Sequence, residues 1–489
     1  MKSFVAFSTC LLVLTLSGCK DVLTEVPRAS LSQTQFYQSQ ADLVAGLNAV
    51  YAVMRNTNYY GTTYCAQLEG MTDYASSRGT QIPVSEYQGL DGTNIARTSL
   101  IWNQVYQAIN AANIILKAAP GITLTDAVRN PLVGEAQFLR ALNYYNLVRN
   151  YGAVPIHTEP TENLSQVGGK RQPVAEVYKL IVADLQAAEK TLPSTTREVG
   201  RPTSWAAKTL LADVYLTTEQ WASARDKADE VIQSKLYSLV DVKVSDDFEK
   251  IFGPNVVTTT EEIFYLKYAP LAGQGWGYPT YLYNADDINA SGGVRAHYSR
   301  PEYTLIKNWD AKDLRKSFNL FTTYVNRAGA TVTLPTTDPI GFRKYKSPNV
   351  AISGNDCPIL RYADALLIYA EAASQAAGAP TALAIERLNM VHRRAYGYTA
   401  TAASPADLAT TGLSAAAFRE LVLTERAYEF MVECKRWLDL KRVGVDYLKA
   451  TIKASKNKDV ATAHLFWPIP IQEIDNNPDI EPADQNPGY

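Results

Sequence analysis

Residues 203–235, TSWAAKTLLADVYLTTEQWASARDKADEVIQSK, have the pattern of two amphipathic helices joined by a short turn. Large, small and aromatic side chains recur in it at helical spacing: Leu211, Ala212, Tyr215, Ala224, Ala228 and Val231. Small residues allow the two helices of a hairpin to cross closely, and larger ones fill the groove toward a neighbouring pair. The segment therefore predicts a helical hairpin that needs further helices beside it.

This spacing resembles that of a tetratricopeptide repeat, although an unrelated helical hairpin can mimic it. Other stretches with helical periodicity are 40–55, 100–119, 133–152, 174–192, 359–378, 380–397 and 414–444. Residues 56–98 and 236–358 differ, because Gly, Asn and aromatic residues dominate there and little helical period remains. Helical repeats seldom carry an insertion as long as 236–358 without a function.

The predicted fold class is mainly α, a tetratricopeptide-like helical-repeat scaffold with an inserted irregular, loop-rich ligand lobe. The predicted parts are a signal peptide (1–18), a lipidated tether (19–35), an N-terminal helical-repeat part with binding loops (36–235), the loop-rich ligand lobe (236–358), and C-terminal helices with an extended tail (359–489). Prolines punctuate the tail, so we expect it to be extended rather than helical, with Trp467 fixing it to the body.

The composition is that of an ordinary globular protein, with 46% hydrophobic and 20% charged residues. A net charge of −2 without a long Lys/Arg block makes nucleic acid an unexpected partner. Three cysteines remain after position 19, namely Cys65, Cys357 and Cys434, and their number and spacing predict neither a disulfide framework nor a metal site. The 30 tyrosines against 13 phenylalanines favour wet stacking surfaces, although most are expected to pack within helices.

The N-terminus has the layout of a secretory signal. Lys2 precedes an apolar run over residues 4–16, which is too short to span a bilayer as a helix. Leu16-Ser17-Gly18 before Cys19 resembles a lipobox, which predicts Cys19 as the site of lipid attachment; a plain signal peptide and a buried segment are the alternatives. Acyl chains contribute about 0.8 kcal/mol per buried CH₂, so more than one chain gives durable anchoring.

Several segments resemble, in order along the chain, the SusD/RagB-like family of outer-membrane lipoproteins. They are the lipobox at Cys19, EAQFLRALNYYNLVRNYGAVP (135–155), ILRYADALLIYAEA (359–372), ERAYEFMVECKRWLDLKR (425–442) and WPIPIQEIDNNPDIEPADQNPGY (467–489). One departure is visible, because Cys434-Lys435 stands where the family usually has a Gly-His-like pair.

The resemblance implies a nutrient-capture protein, lipid-anchored in the outer membrane and exposed on the cell surface. Its implied partners are an oligosaccharide, the membrane and a SusC-like TonB-dependent transporter. Family members generally bind without catalysing, and no cofactor is implied. Lys20-Asp21 after the lipidated cysteine is similar to the charged tags that route such lipoproteins to the cell surface. The implied fold, helical pairs that support an irregular ligand lobe, agrees with the pattern of the residues.

Sugar rings stack on aromatic faces, and their hydroxyls bind amides, carboxylates and guanidinium groups, so we expect the ligand-binding residues in the loop-rich stretches. The candidates in the inserted lobe are Trp276, Tyr278, Tyr281, Tyr283, Asn284, Arg295 and Tyr298. The candidates in the first loop region are Asp73, Tyr74 and Arg78. Trp276, between glycines, is the foremost candidate, and its alternative role is packing on the scaffold edge. Trp102 lies in an amphipathic helix and is predicted to be core.

A catalytic role finds little support in the sequence. Glu425, Glu429 and Glu433 share one helical face, but intrahelical ion pairs with Arg426, Lys435 and Arg436 explain them better than paired catalytic carboxylates. The four histidines are scattered, and no HExxH, GxSxG or Walker-type motif occurs. We therefore predict no catalytic residue and no resident metal, although Asp286-Asp287 leaves calcium open. The aromatic, mostly uncharged loops favour a sugar over an anionic ligand, with a peptide or other nutrient as the alternative and a surface glycoside hydrolase as the less favoured one.

Overall fold

The computed structural model describes residues 36–163, 167–288, 290 and 292–489. The predicted signal peptide and the tether with Cys19 lie outside the described residues. Within the described part, no helix combines the length and the apolar character needed to cross a membrane.

Helices dominate the described chain. Those of eight residues or more are α1 (Gln40–Met54), α2 (Thr63–Gly70), α3 (Gly92–Ala118), α4 (Asp126–Tyr151), α5 (Val174–Thr191), α6 (Ser204–Thr217), α7 (Trp221–Gln233), α8 (Tyr362–Ala377), α9 (Ala382–Ala395), α10 (Ala415–Glu429), α11 (Arg436–Val443) and α12 (Val445–Lys456). Shorter helices are Ile82–Ser85, Glu249–Phe252, Thr304–Asn308, Leu314–Asn319 and Ile471–Asn476. The mainly α fold class is thus confirmed.

The hairpin predicted from residues 203–235 is formed by α6 and α7. The hydroxyl of Thr203 caps the start of α6 by accepting the amide of Ala206. The residues that defined the hairpin pattern are all buried at the crossing or beside it: Leu211, Ala212, Tyr215, Ala224, Ala228 and Val231. Helix α8 then packs on α7, although about 130 residues of sequence separate them, so the C-terminal helices continue the stack begun by the N-terminal ones.

The helices differ from the sequence pattern in several places, and α4, for example, begins at Asp126 rather than at residue 133. Helix α3 begins eight residues earlier than expected, because the Asp91 carboxylate accepts the Asn94 amide and caps it. Helix α2 lies in a stretch predicted to be irregular, and it shows no amphipathic period because it is buried on nearly every side. The expected helix over 414–444 breaks between α10 and α11, where Val432 and Cys434 adopt left-handed φ values of 55° and 62°.

The strands are short and pair in twos, all antiparallel. Strand β1 (Ser76–Ser77) pairs with β3 (His297–Tyr298), and β2 (Glu262–Leu266) pairs with β8 (Cys357–Arg361). Strand β4 (Leu320–Phe321) pairs with β7 (Gly341–Phe342), and β5 (Thr323–Val325) forms a hairpin with β6 (Thr331–Thr333). The pairing of β1 with β3 is the one that matters for function, because it joins the first loop region to the inserted lobe.

A buried charge network joins the inserted lobe to the C-terminal helices and corrects the expected intrahelical pairs. Glu425, Glu429 and Glu433 pair with residues outside their own segment, namely Arg315, Lys344, Arg361, Arg394 and His392. Arg426, Lys435 and Arg436 likewise pair elsewhere, with Asp439, Asp364 and Asp73. Burial opposes the ionisation of Glu429, yet the charges of the arginines around it hold its pKa well below the ordinary value.

The C-terminal tail lies against the N-terminal helices. Trp467 is buried, its ring contacts those of Tyr64 and Tyr151, and its amide donates to the carbonyl of Asn150 over 2.8 Å. The expectation that Trp467 fixes the tail is confirmed, while the tail does form one helical turn, Ile471–Asn476, after Pro470 at the N-cap.

Candidate functional site

A surface cleft of about 730 Å³ lies where the loop after α1 faces the inserted lobe. Its lining residues are Ala52, Arg55, Asn56, Thr57, Gly61, Thr62, Tyr268, Gly273, Gln274, Gly275, Gly277, Thr280, Tyr281 and Ala351. Arg55 is the one charged side chain among these described lining residues; the others are aromatic, amide, hydroxyl or small. A cleft of this size and polarity suits a flexible polar ligand of several rings or residues.

Two tyrosine rings reach the cleft, those of Tyr268 and Tyr281, and both are half-buried. The guanidinium of Arg55 lies over the Tyr268 ring, 4.9 Å from its centroid. The ring of Tyr281 lies 5.6 Å from the imidazole of His297 and 6.4 Å from the ring of Tyr278. Each cleft tyrosine is therefore held by a neighbour, which reduces the entropy lost when a ligand stacks on it.

The glycines around Trp276 pack the lobe against the scaffold rather than opening space for a ligand. A Cβ atom on Gly277 would collide with the hydroxyl of Thr62, and one on Gly275 would lie 2.6 Å from the main chain of Ile352. The Trp276 amide also donates to the carbonyl of Ser353 over 2.9 Å. This close approach turns the tryptophan inward.

Trp276 is the clearest correction to the expected contact residues. Its side chain is 1% exposed, its indole nitrogen donates to the carbonyl of Tyr60 over 2.9 Å, and its ring lies 4.6 Å from that of Tyr345. Tyr278 beside it is also fully buried. Neither side chain can touch a ligand in this structure, so both support the cleft from below.

The candidates Asp73 and Tyr74 are also internal. Asp73 forms a bidentate ion pair with Arg436, at 2.9 and 2.7 Å, and the hydroxyl of Tyr74 donates to Glu69 and accepts the Val432 amide. Both side chains are at most 1% exposed. The direct ligand contacts expected for them are corrected to a structural role, because burial and satisfied hydrogen bonds leave no free surface.

Two other candidates, Arg78 and Arg295, meet at one carboxylate, and a third, Asn284, contacts Arg295. The Asp338 carboxylate accepts a hydrogen bond from the Arg295 guanidinium. It also forms an ion pair with Arg78 over 3.3 Å, and the Arg78 side chain is 48% exposed. The Nε of Arg295 donates to the Asn284 amide oxygen over 2.8 Å. Burial lowers the pKa of Arg295, the nearby charge of Arg78 lowers it further, and Asp338 opposes both. We call Arg78, Arg295 and Asp338 the arginine cluster.

The remaining candidates border this cluster. Tyr298 is 7% exposed, with the Arg300 guanidinium 5.4 Å from its ring centroid. Tyr283 is 3% exposed and its hydroxyl donates to the carbonyl of Arg343, which corrects its expected ligand contact to a structural one. Of the candidates, therefore, Tyr281, Asn284 and Arg78 retain accessible surface.

The cleft and the cluster share a backbone frame. The Arg78 amide donates to the carbonyl of Ala296 over 2.7 Å, beside the β1–β3 pair, and the Val294 amide donates to the carbonyl of Thr280 over 2.7 Å. His297 of β3 is fully buried, which lowers its pKa to about 3, so it stays neutral under Tyr281. Segments 280–284 and 294–300 thus connect the cleft to the arginine cluster.

None of the three described cysteines lines the cleft. Cys65, Cys357 and Cys434 are free thiols that meet one another inside the protein, and burial raises the pKa of Cys434 to about 12. Across residues 36–163, 167–288, 290 and 292–489, no group of three His, Cys, Asp or Glu side chains is arranged to hold a metal ion. Asp286, one of the carboxylates for which calcium was left open, accepts the hydroxyl of Tyr324.

Sequence reasoning missed four of the side chains that matter here. Arg55 and Asn56 directly follow an amphipathic helix, in the polar and aromatic run RNTNYYG, which is a signal that could have found them. Tyr268 and Asp338 stand in loops without a distinguishing pattern, and only the folded chain brings them to the site.

Comparison with known proteins is consistent over the length of the chain. Residues 339–489 match the family described as the SusD family, and residues 23–216 match one described as starch-binding associating with outer membrane. SusD-like protein P2 of Formosa agariphila is 28% identical, covering 98% of this chain and 98% of that relative. A solved SusD superfamily protein of Parabacteroides distasonis has a TM-score of 0.76 at 26% identity, and the match covers 92% of this chain and 100% of that one. A solved laminarin-binding SusD-like protein has a TM-score of 0.75 at 24% identity, and the match covers 93% of this chain and 100% of that one.

Proposed function

The chain belongs to the SusD/RagB-like family, and on that premise we propose that it is a cell-surface glycan-binding lipoprotein. It captures an oligosaccharide in the cleft between the loop after α1 and the inserted lobe. It then delivers this oligosaccharide to a SusC-like TonB-dependent transporter in the outer membrane.

The observation that carries this proposal is the chemistry of the cleft. Tyr281 offers an aromatic ring at the cleft wall, Tyr268 is stacked between Trp276 and the Arg55 guanidinium, and Asn56, Thr57 and Gln274 offer amide and hydroxyl groups. Sugar rings present C–H faces to aromatic planes and hydroxyls to such groups, so the set suits carbohydrate. The site stands on loops held by a rigid helical scaffold, which is where binding residues generally lie.

The relatives support the same direction. One matching family is described as starch-binding and associated with the outer membrane, and one solved protein of similar fold is described as laminarin-binding. Attachment through Cys19 would keep the cleft beside a transporter in that membrane, since several acyl chains make anchoring durable.

Binding without catalysis agrees with the composition of the cleft. Glycoside hydrolysis by the common mechanisms needs two carboxyl groups flanking the bond, and none of the described cleft-lining residues is an Asp or Glu. The glutamates that share one helical face, Glu425, Glu429 and Glu433, are buried in ion pairs far from free surface.

The test is affinity electrophoresis of the chain from residue 20 onward through gels that contain a panel of polysaccharides, followed by calorimetry with matching oligosaccharides. We expect retardation on at least one polysaccharide, with the sugar recovered intact by chromatography. Tyr281→Ala should weaken the retardation, because it removes a stacking face worth roughly 1 kcal/mol or more, which is at least about fivefold in affinity.

Tyr398→Ala is the matched control, because Tyr398 is an exposed tyrosine remote from the cleft lining. Equal losses in both variants would contradict the site, and cleaved sugar would contradict binding without catalysis. Saturable binding of peptides, with no polysaccharide retained, would replace the glycan by a peptide nutrient.

A further inference from the structure

We propose that the captured oligosaccharide is acidic, carrying carboxylate or sulfate groups that Arg55, Arg78 and Arg300 recognise. This inference rests on the proposed function and names the ligand class of the same site. It departs from the expectation drawn from the sequence, because the loops that look mostly uncharged in sequence gather arginines when folded.

Arg55 supplies positive charge inside the cleft. It is half-buried, its Nη2 donates to the carbonyl of Gln274 over 3.2 Å, and its Nε has no hydrogen-bond partner among the described residues. None of the described residues lining the cleft is acidic, and Asp356, whose carboxylate feels the charge of Arg55, lies outside that lining. The charge of the guanidinium is therefore not neutralised by a lining residue, and an anionic ligand group in the cleft would neutralise it.

The arginine cluster extends this charge beyond the cleft. Arg78 and Arg295 share the single carboxylate of Asp338, which is only 7% exposed, and Arg295 is buried beneath it. One buried negative charge therefore faces two guanidinium groups. The exposed one, Arg78, contacts Asp338 through Nη1, and its side chain is 48% exposed.

Arg300 adds a third accessible guanidinium next to the cluster. Its Nη2 donates to the carbonyl of Thr337, the neighbour of Asp338, over 2.8 Å. Its ion-pair partner, Glu302, lies 3.9 Å away and is 62% exposed, so that pair is weak and easily replaced.

Three arginines of this surface, Arg78, Arg295 and Arg300, share two carboxylates, Asp338 and Glu302, and Arg55 forms no ion pair with a described residue. A neutral glycan would leave this excess positive charge uncompensated. Guanidinium groups bind carboxylate and sulfate oxygens through two parallel hydrogen bonds, and that fork geometry selects oxyanions over hydroxyls. The charge excess thus points to an acidic sugar chain bound beside Tyr281 and Arg55.

The experiment compares matched pairs of ligands by calorimetry with the chain from residue 20 onward. Oligogalacturonates are compared with their methyl esters, and sulfated carrageenan oligosaccharides with their desulfated forms. The first pair isolates the carboxylate and the second isolates the sulfate. We expect one acidic ligand to bind at least about tenfold more tightly than its neutral counterpart, with an affinity that falls between 20 and 300 mM salt.

Arg55→Gln and Arg78→Gln should each reduce the preference for the acidic ligand to about threefold or less. Arg225→Gln is the control, since Arg225 is a partly exposed arginine on α7, paired with Asp226, outside the site. Equal binding of acidic and neutral members, or retained preference in both arginine variants, overturns the acidic-ligand inference while the proposed function stands. Absence of binding to every saccharide, acidic and neutral, overturns the proposed function itself.

Discussion

Arg436 and Asp73 form a buried bidentate ion pair, although 363 positions of sequence separate them. The pair ties α11 in the C-terminal part to the loop that carries Arg78 in the N-terminal part. It also removes both residues from the roles that their local sequence indicated, a ligand contact for Asp73 and an intrahelical pair for Arg436.

Breaking this pair should destabilise the protein strongly. Asp73→Asn leaves the Arg436 guanidinium buried without a counter-charge, so we expect a loss of about 3 to 5 kcal/mol in the free energy of unfolding. Urea denaturation measures it. The partly exposed pair Arg225–Asp226 is the control, and Asp226→Asn should cost less than about 1 kcal/mol. Similar losses at both pairs would contradict the buried geometry.

Glu69 should make stability depend on pH. Burial raises its pKa to about 7, above the value of about 4.3 in an unfolded chain. The folded protein therefore binds the proton of Glu69 more tightly than the unfolded chain does. The stabilisation that this proton gives the folded state is complete below about pH 4.3 and is lost as the pH rises through 7. The loss is about 3 kcal/mol.

The measurement is urea unfolding between pH 4.5 and 8 for the wild type and Glu69→Gln. Because glutamine does not titrate, the variant should gain about 3 kcal/mol relative to the wild type across this range. Parallel stability curves for the two proteins would show that Glu69 has an ordinary pKa.

Trp276 and Tyr281 should respond to truncation in opposite ways. Trp276→Ala removes a fully buried ring and its hydrogen bond to Tyr60, so we expect a loss of about 3 to 5 kcal/mol in stability. Tyr281→Ala, at the half-buried cleft wall, should lower stability by less and weaken glycan binding at least about fivefold. Thermal unfolding and calorimetry separate the two, and a stable Trp276→Ala protein that fails to bind would restore a ligand contact for the tryptophan.

The turn between α10 and α11 should favour glycine at position 434. Cys434 has a φ of 62°, a region in which a Cβ atom costs about 1 to 2 kcal/mol. Cys434→Gly and Cys434→Ala both remove the thiol, so their difference isolates the backbone strain. We expect the glycine variant to be about 1 kcal/mol more stable than the alanine variant in urea denaturation, and the reverse order would refute a strained backbone there.

The helical part of the fold was readable from local patterns. Residues 203–235 specify their hairpin by the alternation of large and small residues, and Trp467 was recognisable as the anchor of the tail. Helix α2 escaped detection because burial on nearly every side removes the amphipathic period on which such predictions depend.

The candidate site was only partly readable. Tyr281, Asn284 and Arg78 have accessible surface, whereas Trp276 and Tyr74, which look the same in sequence, are internal. Residue type in a loop indicates what a side chain can bind, but its direction depends on what packs beneath it. For Trp276 that direction is set by the contacts of Gly275 and Gly277 with distant segments.

The sequence by itself determined the helical scaffold, the presence of an irregular inserted lobe and the family resemblance, because helix periodicity and ordered motifs are local properties of the chain. The tertiary structure alone decided which side chains face the cleft and where charges find their partners. Asp338 meets Arg78, and Arg436 meets Asp73, across hundreds of residues. The two residues of such a pair come within a few ångströms of each other only once the core has packed.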